Sequence, residues 1–263
     1  MDLELTGRVA VVVGGARGLG YAIGAAFAAE GARVALLDVA ADVPAVAEKI
    51  GGAGWVVDVT DFAAVRSVEG DVRGRFGRVD HVAFAAGIGS GKFGFPFWNL
   101  DPADWPRVLN VNLVGAVHVA HAFAPGLAAA RAGTMLFLAS VAGQNGSQTD
   151  PPYSASKAGL LNFAQCAAKD LAPFGVRVNA LNPGMVQTPL NRSVWQAWAD
   201  RQSPEARQEY EAWAAEKIAK LVPLNRWQTP EDIAAMAVFL ASPRAANVTG
   251  QTINVDGGYV MHS

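Results

Sequence analysis

A hydroxyl, a phenol and an amine are spaced in this chain as a proton-transfer site requires. Ser140 ends an apolar run, a loop follows, and Tyr153 and Lys157 lie four apart where a helical stretch opens. Residues i and i+4 share one helix face, so the ammonium of Lys157 can lie near the phenol of Tyr153. A free phenol, with a pKa of about 10, is a poor base near neutral pH. A nearby cation favours the phenolate and lowers that value. Ser140 can donate a hydrogen bond to an oxygen being oxidised or reduced. The three groups suit proton exchange between an alcohol and its carbonyl. Tyr-x-x-x-Lys alone is a common coincidence, so its weight depends on what else the chain carries.

A second chemistry sits near the start. Gly14-Gly-Ala-Arg17-Gly18-Leu19-Gly20 follows an apolar run and precedes a helical stretch. Glycines there let the backbone turn tightly and approach a pyrophosphate, and the helix N-terminus attracts the anion. Strand before and helix after make this a dinucleotide-binding turn. Asp38 ends the next apolar run, where a carboxylate accepts hydrogen bonds from ribose hydroxyls and repels a 2′-phosphate. NAD is therefore expected rather than NADP. Arg17 is either a phosphate partner, which would weaken that preference, or a solvated arginine. Asp58, followed by Val59, either reaches the adenine or caps the next helix, although Thr60 and Asp61 are better placed to cap.

These groups need a scaffold that brings distant segments to one edge. Val-rich runs alternate with Ala-rich helical stretches. Strands are expected at 8–13, 33–37, 55–57, 79–85, 134–139, 176–181 and 252–255. Helices are expected at 18–30, 61–76, 101–130, 153–172 and 230–241, the third bent near Pro106 and closed by Gly133. This alternation predicts an α/β, doubly wound parallel sheet covered on both faces. The segment 190–222, with Trp195, Trp198, Tyr210 and Trp213, is polar and helical in pattern and reads as an inserted lid in a single domain.

Composition narrows the classes. The 263 residues fit one large domain with a sizeable core. A net charge of −2 without a basic block argues against nucleic acid. No apolar run is expected to span a bilayer, and the N-terminus lacks the basic start and apolar stretch of a signal peptide. The single cysteine, Cys166, allows no internal disulfide and reads as core filler. A cytoplasmic setting follows. His118 and His121 are one helical step apart but lack a third ligand, so no metal is expected, and His81 and His262 belong to no motif.

Together these residues resemble the short-chain dehydrogenase/reductase family over essentially the whole chain. Gly14, Gly18 and Gly20 match its cofactor turn, and Asn112 its catalytic asparagine. Ser140, Tyr153 and Lys157 match its catalytic set. Asn182-Pro183-Gly184 with Thr188 matches the loop that holds the nicotinamide, and Gly250–Gly258 its C-terminal strand. Two positions depart from the pattern. Val13 replaces the usual Thr, and Phe84-Ala85-Ala86-Gly87 replaces Asn-Asn-Ala-Gly.

The resemblance implies a single-domain, seven-stranded Rossmann fold that binds NAD. The cofactor residues it implies are Gly14, Arg17, Gly18, Leu19, Gly20, Asp38, Asp58, Val59, Ala86, Gly87, Tyr153, Lys157, Pro183, Gly184, Val186 and Thr188. It also implies that Tyr153 exchanges the proton, Lys157 lowers its pKa and binds the ribose, Ser140 polarises the substrate oxygen, and Asn112 holds a relay water. A homotetramer or homodimer is implied as well. The substrate is expected to be a polyol, a sugar or a cyclic or aryl secondary alcohol, held by Ser140, Gln148, Tyr153 and Trp195. Phe93, Phe95, Phe97, Trp98, Gln144, Asn145 and Ser147 would supply further walls. The loops carry no Lys/Arg cluster, which disfavours phosphorylated or CoA-linked substrates. A 3-oxoacyl ketoreductase and a non-catalytic cofactor sensor are the rival expectations.

Overall fold

The structure, a computed structural model, describes residues 1–147 and 149–261. Seven strands form one sheet: β1 Val9–Val13, β2 Arg33–Asp38, β3 Ala53–Val56, β4 His81–Phe84, β5 Thr134–Leu138, β6 Arg177–Pro183 and β7 Thr252–Val255. Their order is β3-β2-β1-β4-β5-β6-β7, and every neighbouring pair is parallel. β1, β4 and β5 are buried throughout, which explains why they read as unbroken apolar runs.

Helices cover both faces. α1 (Gly18–Ala29), α2 (Val43–Glu48) and α9 (Pro230–Ala241) close one face over Ile23, Phe27, Leu36 and Ile233. α3 (Phe62–Phe76), α5 (Gly115–Ala130) and α6 (Pro151–Leu171) close the other over Phe84, Phe123, Phe137 and Leu160. α4 (Trp105–Leu109) leads into α5. α7 (Pro189–Ala199) and α8 (Tyr210–Leu221) fill the segment between β6 and α9.

Several expectations need correction. The break in the long helical region is not at Pro106, which sits harmlessly in the first turn of α4. It is a π turn at Asn110–Val114, closed by the Gly115 N–H donating to the Asn110 carbonyl. Arg131, in the left-handed region at φ 52°, ends α5, not Gly133. α2 was not expected; its six residues are too few to show helical periodicity. Cys166 is exposed rather than core filler. The stretch Pro102–Ala130 is, by length and composition, apolar enough to cross a membrane, contrary to the expectation that no run is. Here its Ala116, Val119, Phe123 and Leu127 are buried in the core.

Phe84 accounts for one departure from the family pattern. It is fully buried, with its ring centroid 6.4 Å from that of Phe137. An apolar ring packs where the pattern has an amide.

Candidate active site

Strand order reverses between β1 and β4, and open α/β sheets bind ligands in the crevice there. The glycine turn leaves β1 at that point, beside the segment leaving β4. Gly14 has φ +82°, and a Cβ on it would stand 2.5 Å from the Ala86 nitrogen. A Cβ on Gly20 would stand 2.0 Å from the Gly14 carbonyl oxygen. Only glycine fits either place. Gly18, at φ +56°, has nothing within 4 Å of its Cβ position, so open space lies over the N-terminus of α1. Arg17, exposed, precedes that helix and its side chain caps none of the first N–H groups. Free amides facing open space fit a pyrophosphate.

Asp38 closes β2 beside this turn. Its carboxylate accepts from the Ala16 N–H at 3.0 Å and the Ala40 N–H at 3.0 Å, which fixes it in place. Asp58 is held by Thr60 through both the backbone N–H and the hydroxyl, each at 2.8 Å, whereas Asp61 caps α3. Val59 is buried, its carbonyl 2.8 Å from His118 Nδ1. Gly87 leaves β4 next to Lys157: a Cβ there would lie 3.3 Å from Nζ.

β5 delivers Ser140 and α6 delivers Tyr153 and Lys157. Two prolines in the first turn start α6 without losing a needed N–H. Ser140 Oγ accepts from the Ala142 N–H at 3.1 Å and hydrogen-bonds Tyr153. Lys157 is buried, with Nζ 5.5 Å from the centre of the Tyr153 ring. That ammonium donates to the Leu138 carbonyl at 2.7 Å.

The electrostatics differ from expectation. The Tyr153 phenol is not lowered but pushed up to about 12, chiefly by burial; the Ser140 hydrogen bond opposes this and the Asp150 carboxylate adds to it. Burial pushes Lys157 down to about 8. Desolvation outweighs the cation that the i, i+4 spacing brings near.

Asn112, in the π turn, is completely buried. Its Oδ1 accepts from the Ile88 N–H at 2.8 Å, and its Nδ2 donates to the Ile88 carbonyl and the Ser156 hydroxyl, each at 2.9 Å. It ties the segment after β4 to α6, so its visible role is positioning. Asn112→Ala should cost about 2 kcal/mol, because three buried polar groups lose their partner; urea denaturation would measure it.

A cleft of about 170 Å³ joins these parts. Ser140, Tyr153, Leu19, Pro183, Gly184, Val186 and Thr188 all line it. Gly184 must be glycine, since a Cβ would meet Gln228 Oε1 at 2.7 Å. Thr188 caps α7 through the Asn191 N–H. Sequence reasoning missed Asp150, Leu190 and Asn191, which also line the cleft. An acid three residues before Tyr153 was the one available signal.

The aromatic expectations fare less well. Trp195 packs edge-on against Tyr210 and donates Nε1–H to the Gln208 carbonyl at 3.1 Å. It does not line the cleft. Trp198 packs against Trp213, and Phe95, Phe97 and Trp98 are exposed. Phe93 borders a small side pocket next to the cleft. Gln148 and His262 lie outside the described residues. Among the described residues no group of three or more His, Cys, Asp or Glu could hold a metal.

Comparison with known proteins finds similarity along nearly the whole chain. Residues 14–260 match a family model described as enoyl-(acyl carrier protein) reductase. The chain is 34% identical to an acetoacetyl-CoA reductase of Synechocystis, covering 98% of this chain and 99% of that protein. It is 33% identical to a D-threitol dehydrogenase of Mycolicibacterium smegmatis, covering 99% and 95%. It is 35% identical to a galactitol 2-dehydrogenase of Agrobacterium fabrum, covering 98% and 100%.

Proposed function

The chain belongs to the short-chain dehydrogenase/reductase family of oxidoreductases, and from that premise we propose an NAD-dependent dehydrogenase of neutral secondary alcohols, polyols foremost. The observation that carries the proposal is the convergence of Ser140 and Tyr153 on one cleft with Leu19, Gly184 and Thr188. The cofactor, when bound, accepts or donates the hydride. The chain's own residues do the rest. The glycine turn and the amides of α1 hold the pyrophosphate, and Asp38 takes the adenosine ribose. Ser140 holds the substrate oxygen, and Tyr153 exchanges its proton at the phenol oxygen. Lys157 keeps a buried positive charge beside that ring, and Asn112 keeps the floor of the site in register. Segment 190–222 serves as a lid, since Leu190, Asn191 and Val194 already form one cleft wall.

Two features support the substrate class. None of the described residues lining the cleft is Lys, Arg or His, which disfavours phosphorylated or CoA-linked substrates and so the ketoreductase alternative. Ser147, Thr149 and Asn191 supply hydroxyl and amide partners for a polyol beside apolar Leu190 and Val194. The family resemblance and the small residues along α6 support a homotetramer or homodimer, and the single cysteine suits a reducing, cytoplasmic setting.

The test follows NADH absorbance over a panel of polyols, sugars and apolar secondary alcohols, with NAD and NADP in parallel. Turnover of polyols with NAD supports the proposal, and turnover confined to apolar alcohols or to NADP refutes it. Asp38→Asn should shift the NAD-over-NADP preference toward NADP by roughly tenfold or more, the factor for about 1.4 kcal/mol of lost repulsion. An unchanged ratio of kcat/KM values would remove Asp38 from cofactor choice.

A further inference from the structure

His118 has no part in the proton transfer just described, yet it fixes a piece of backbone where a dinucleotide has to lie. It stands half-buried in the first turn of α5. Its Nδ1 lies 2.8 Å from the Val59 carbonyl oxygen. A carbonyl only accepts, so Nδ1 carries the hydrogen. The same helix face seats the Val59 side chain: a Cβ on Gly115, three residues earlier, would stand 2.6 Å from Val59 Cγ2. Val59, 6% exposed, is thus held by its side chain and by its carbonyl. Phe62 also packs on the His118 ring, at 5.3 Å between centroids, so ring packing is the competing role.

The held segment leaves the sheet beside Asp38. The Val57 N–H donates to the Asp38 carbonyl at 2.8 Å, and the next residues pass out at the carboxyl end of the strands, where open α/β sheets bind ligands. With a pyrophosphate over the glycine turn at β1 and a ribose at Asp38 on β2, the base on that ribose reaches the segment leaving β3. Asp58 is exposed there. Thr60 bonds its Oδ1 twice, and nothing among the described residues bonds its Oδ2. The Val59 N–H likewise has no partner among the described residues. One acceptor and one donor on consecutive residues match the amine and neighbouring ring nitrogen of adenine. They oppose the carbonyl and ring N–H of hypoxanthine. We infer that His118 is a positioning residue for cofactor recognition: its Nδ1–H holds the Val59 carbonyl so that Asp58 Oδ2 and the Val59 N–H stand together as a reader of the base, selecting adenine. This rests on the dinucleotide-binding reading of the glycine turn and is independent of the substrate.

The test compares the full-length protein with His118→Asn and His118→Phe. Asn places an amide nitrogen one bond from Cγ, as Nδ1 is, and loses the ring. Phe keeps a ring against Phe62 and loses the N–H. Each is titrated by fluorescence with whichever of NADH and NADPH wild type binds tighter, and with the analogue of that cofactor carrying hypoxanthine in place of adenine. Thermal unfolding checks the fold, and His118→Leu, which is smaller, replaces Phe where Phe does not fold. Wild type should bind the adenine form roughly tenfold or more tighter than the analogue, the factor for about two mismatched hydrogen bonds. Phe should weaken binding of the adenine form about three- to tenfold, the worth of one hydrogen bond, and bring the ratio of the two dissociation constants toward one. Asn should keep the wild-type ratio.

A ratio unchanged in Phe would overturn the inference, even if both affinities fall together, because loss of structure alone lowers both. A ratio lost in Asn would overturn it too, and kept in Phe at the same time it would assign His118 to packing on Phe62. Wild type that binds both base forms equally well refutes this inference and leaves the dinucleotide reading intact. Wild type that binds no dinucleotide refutes that reading itself.

Discussion

Tyr153→Phe should lower turnover by roughly 10²–10⁴-fold, the usual worth of a positioned acid or base, while leaving NADH affinity nearly unchanged. Only the phenol oxygen is lost, and the ring that packs beside Lys157 remains. Fluorescence titration with NADH, run beside steady-state kinetics, checks both halves. Equal weakening of binding and turnover would make Tyr153 a structural residue, and retained turnover would remove it from the chemistry. The phenol, pushed up to about 12, keeps its proton at neutral pH. It is thus ready to donate in the reductive direction, whereas oxidation requires it to give the proton up. Oxidation should quicken as pH rises through the alkaline range, and reduction should not. Ser140→Ala should move the oxidative limb further toward alkaline pH, because the Ser140 hydrogen bond holds the phenol down.

The second large effect is on stability and lies away from the cleft. His81 is buried in β4, stacked on Phe27 at 5.7 Å between centroids, with Nδ1 2.9 Å from the Thr134 hydroxyl. Its Nε2 is buried without a protein partner. Burial pushes the imidazole down to about 4 from 6.5; nearby Asp80 opposes this, and Arg8, Arg177 and Arg78 reinforce it. Between those two values the unfolded chain binds a proton that the folded chain does not. Stability therefore rises with pH across this window and is lost as pH falls from 6.5 to 4. At about 1.4 kcal/mol per pH unit, the loss is about 3 kcal/mol. His81→Gln removes the titrating group. Denaturation series across the window should show a slope in wild type that is absent in the variant. Parallel slopes would mean that His81 titrates normally.

Local signals were the legible ones. The buried strands and the strand, glycine turn and helix at the start of the chain each depend on neighbours in sequence, and the structure contains them. Features set by distant contacts were not legible. The π turn depends on Asn112 bonding Ile88, 24 residues away, and nothing near Pro106 reports that. Trp195 looked like a cleft wall until the fold supplied Tyr210 as its partner. Cys166 lies on a helix whose small residues hide which side faces inward. The lysine's effect on Tyr153 was inferred from spacing, but the magnitude of burial is a property of the whole site. Asp150 was invisible as a cleft residue because only the packing of the β4 segment against α6 brings it to the wall.

The π turn also gives the long helical region slack in its length. The Gly115 N–H reaches back five residues instead of four, so the turn holds one residue more than an ordinary helix needs to join α4 to α5 in the same phase. Deleting Leu113 or Val114 would let the turn close to ordinary helix with Val119, Phe123 and Leu127 still facing the core. The first deletion uses up that slack. A second would turn α5 by about 100°, carrying those three side chains out of the core and His121 toward it. Alleles shortened by a single codon here should therefore keep the fold, and alleles shortened by two should lose it.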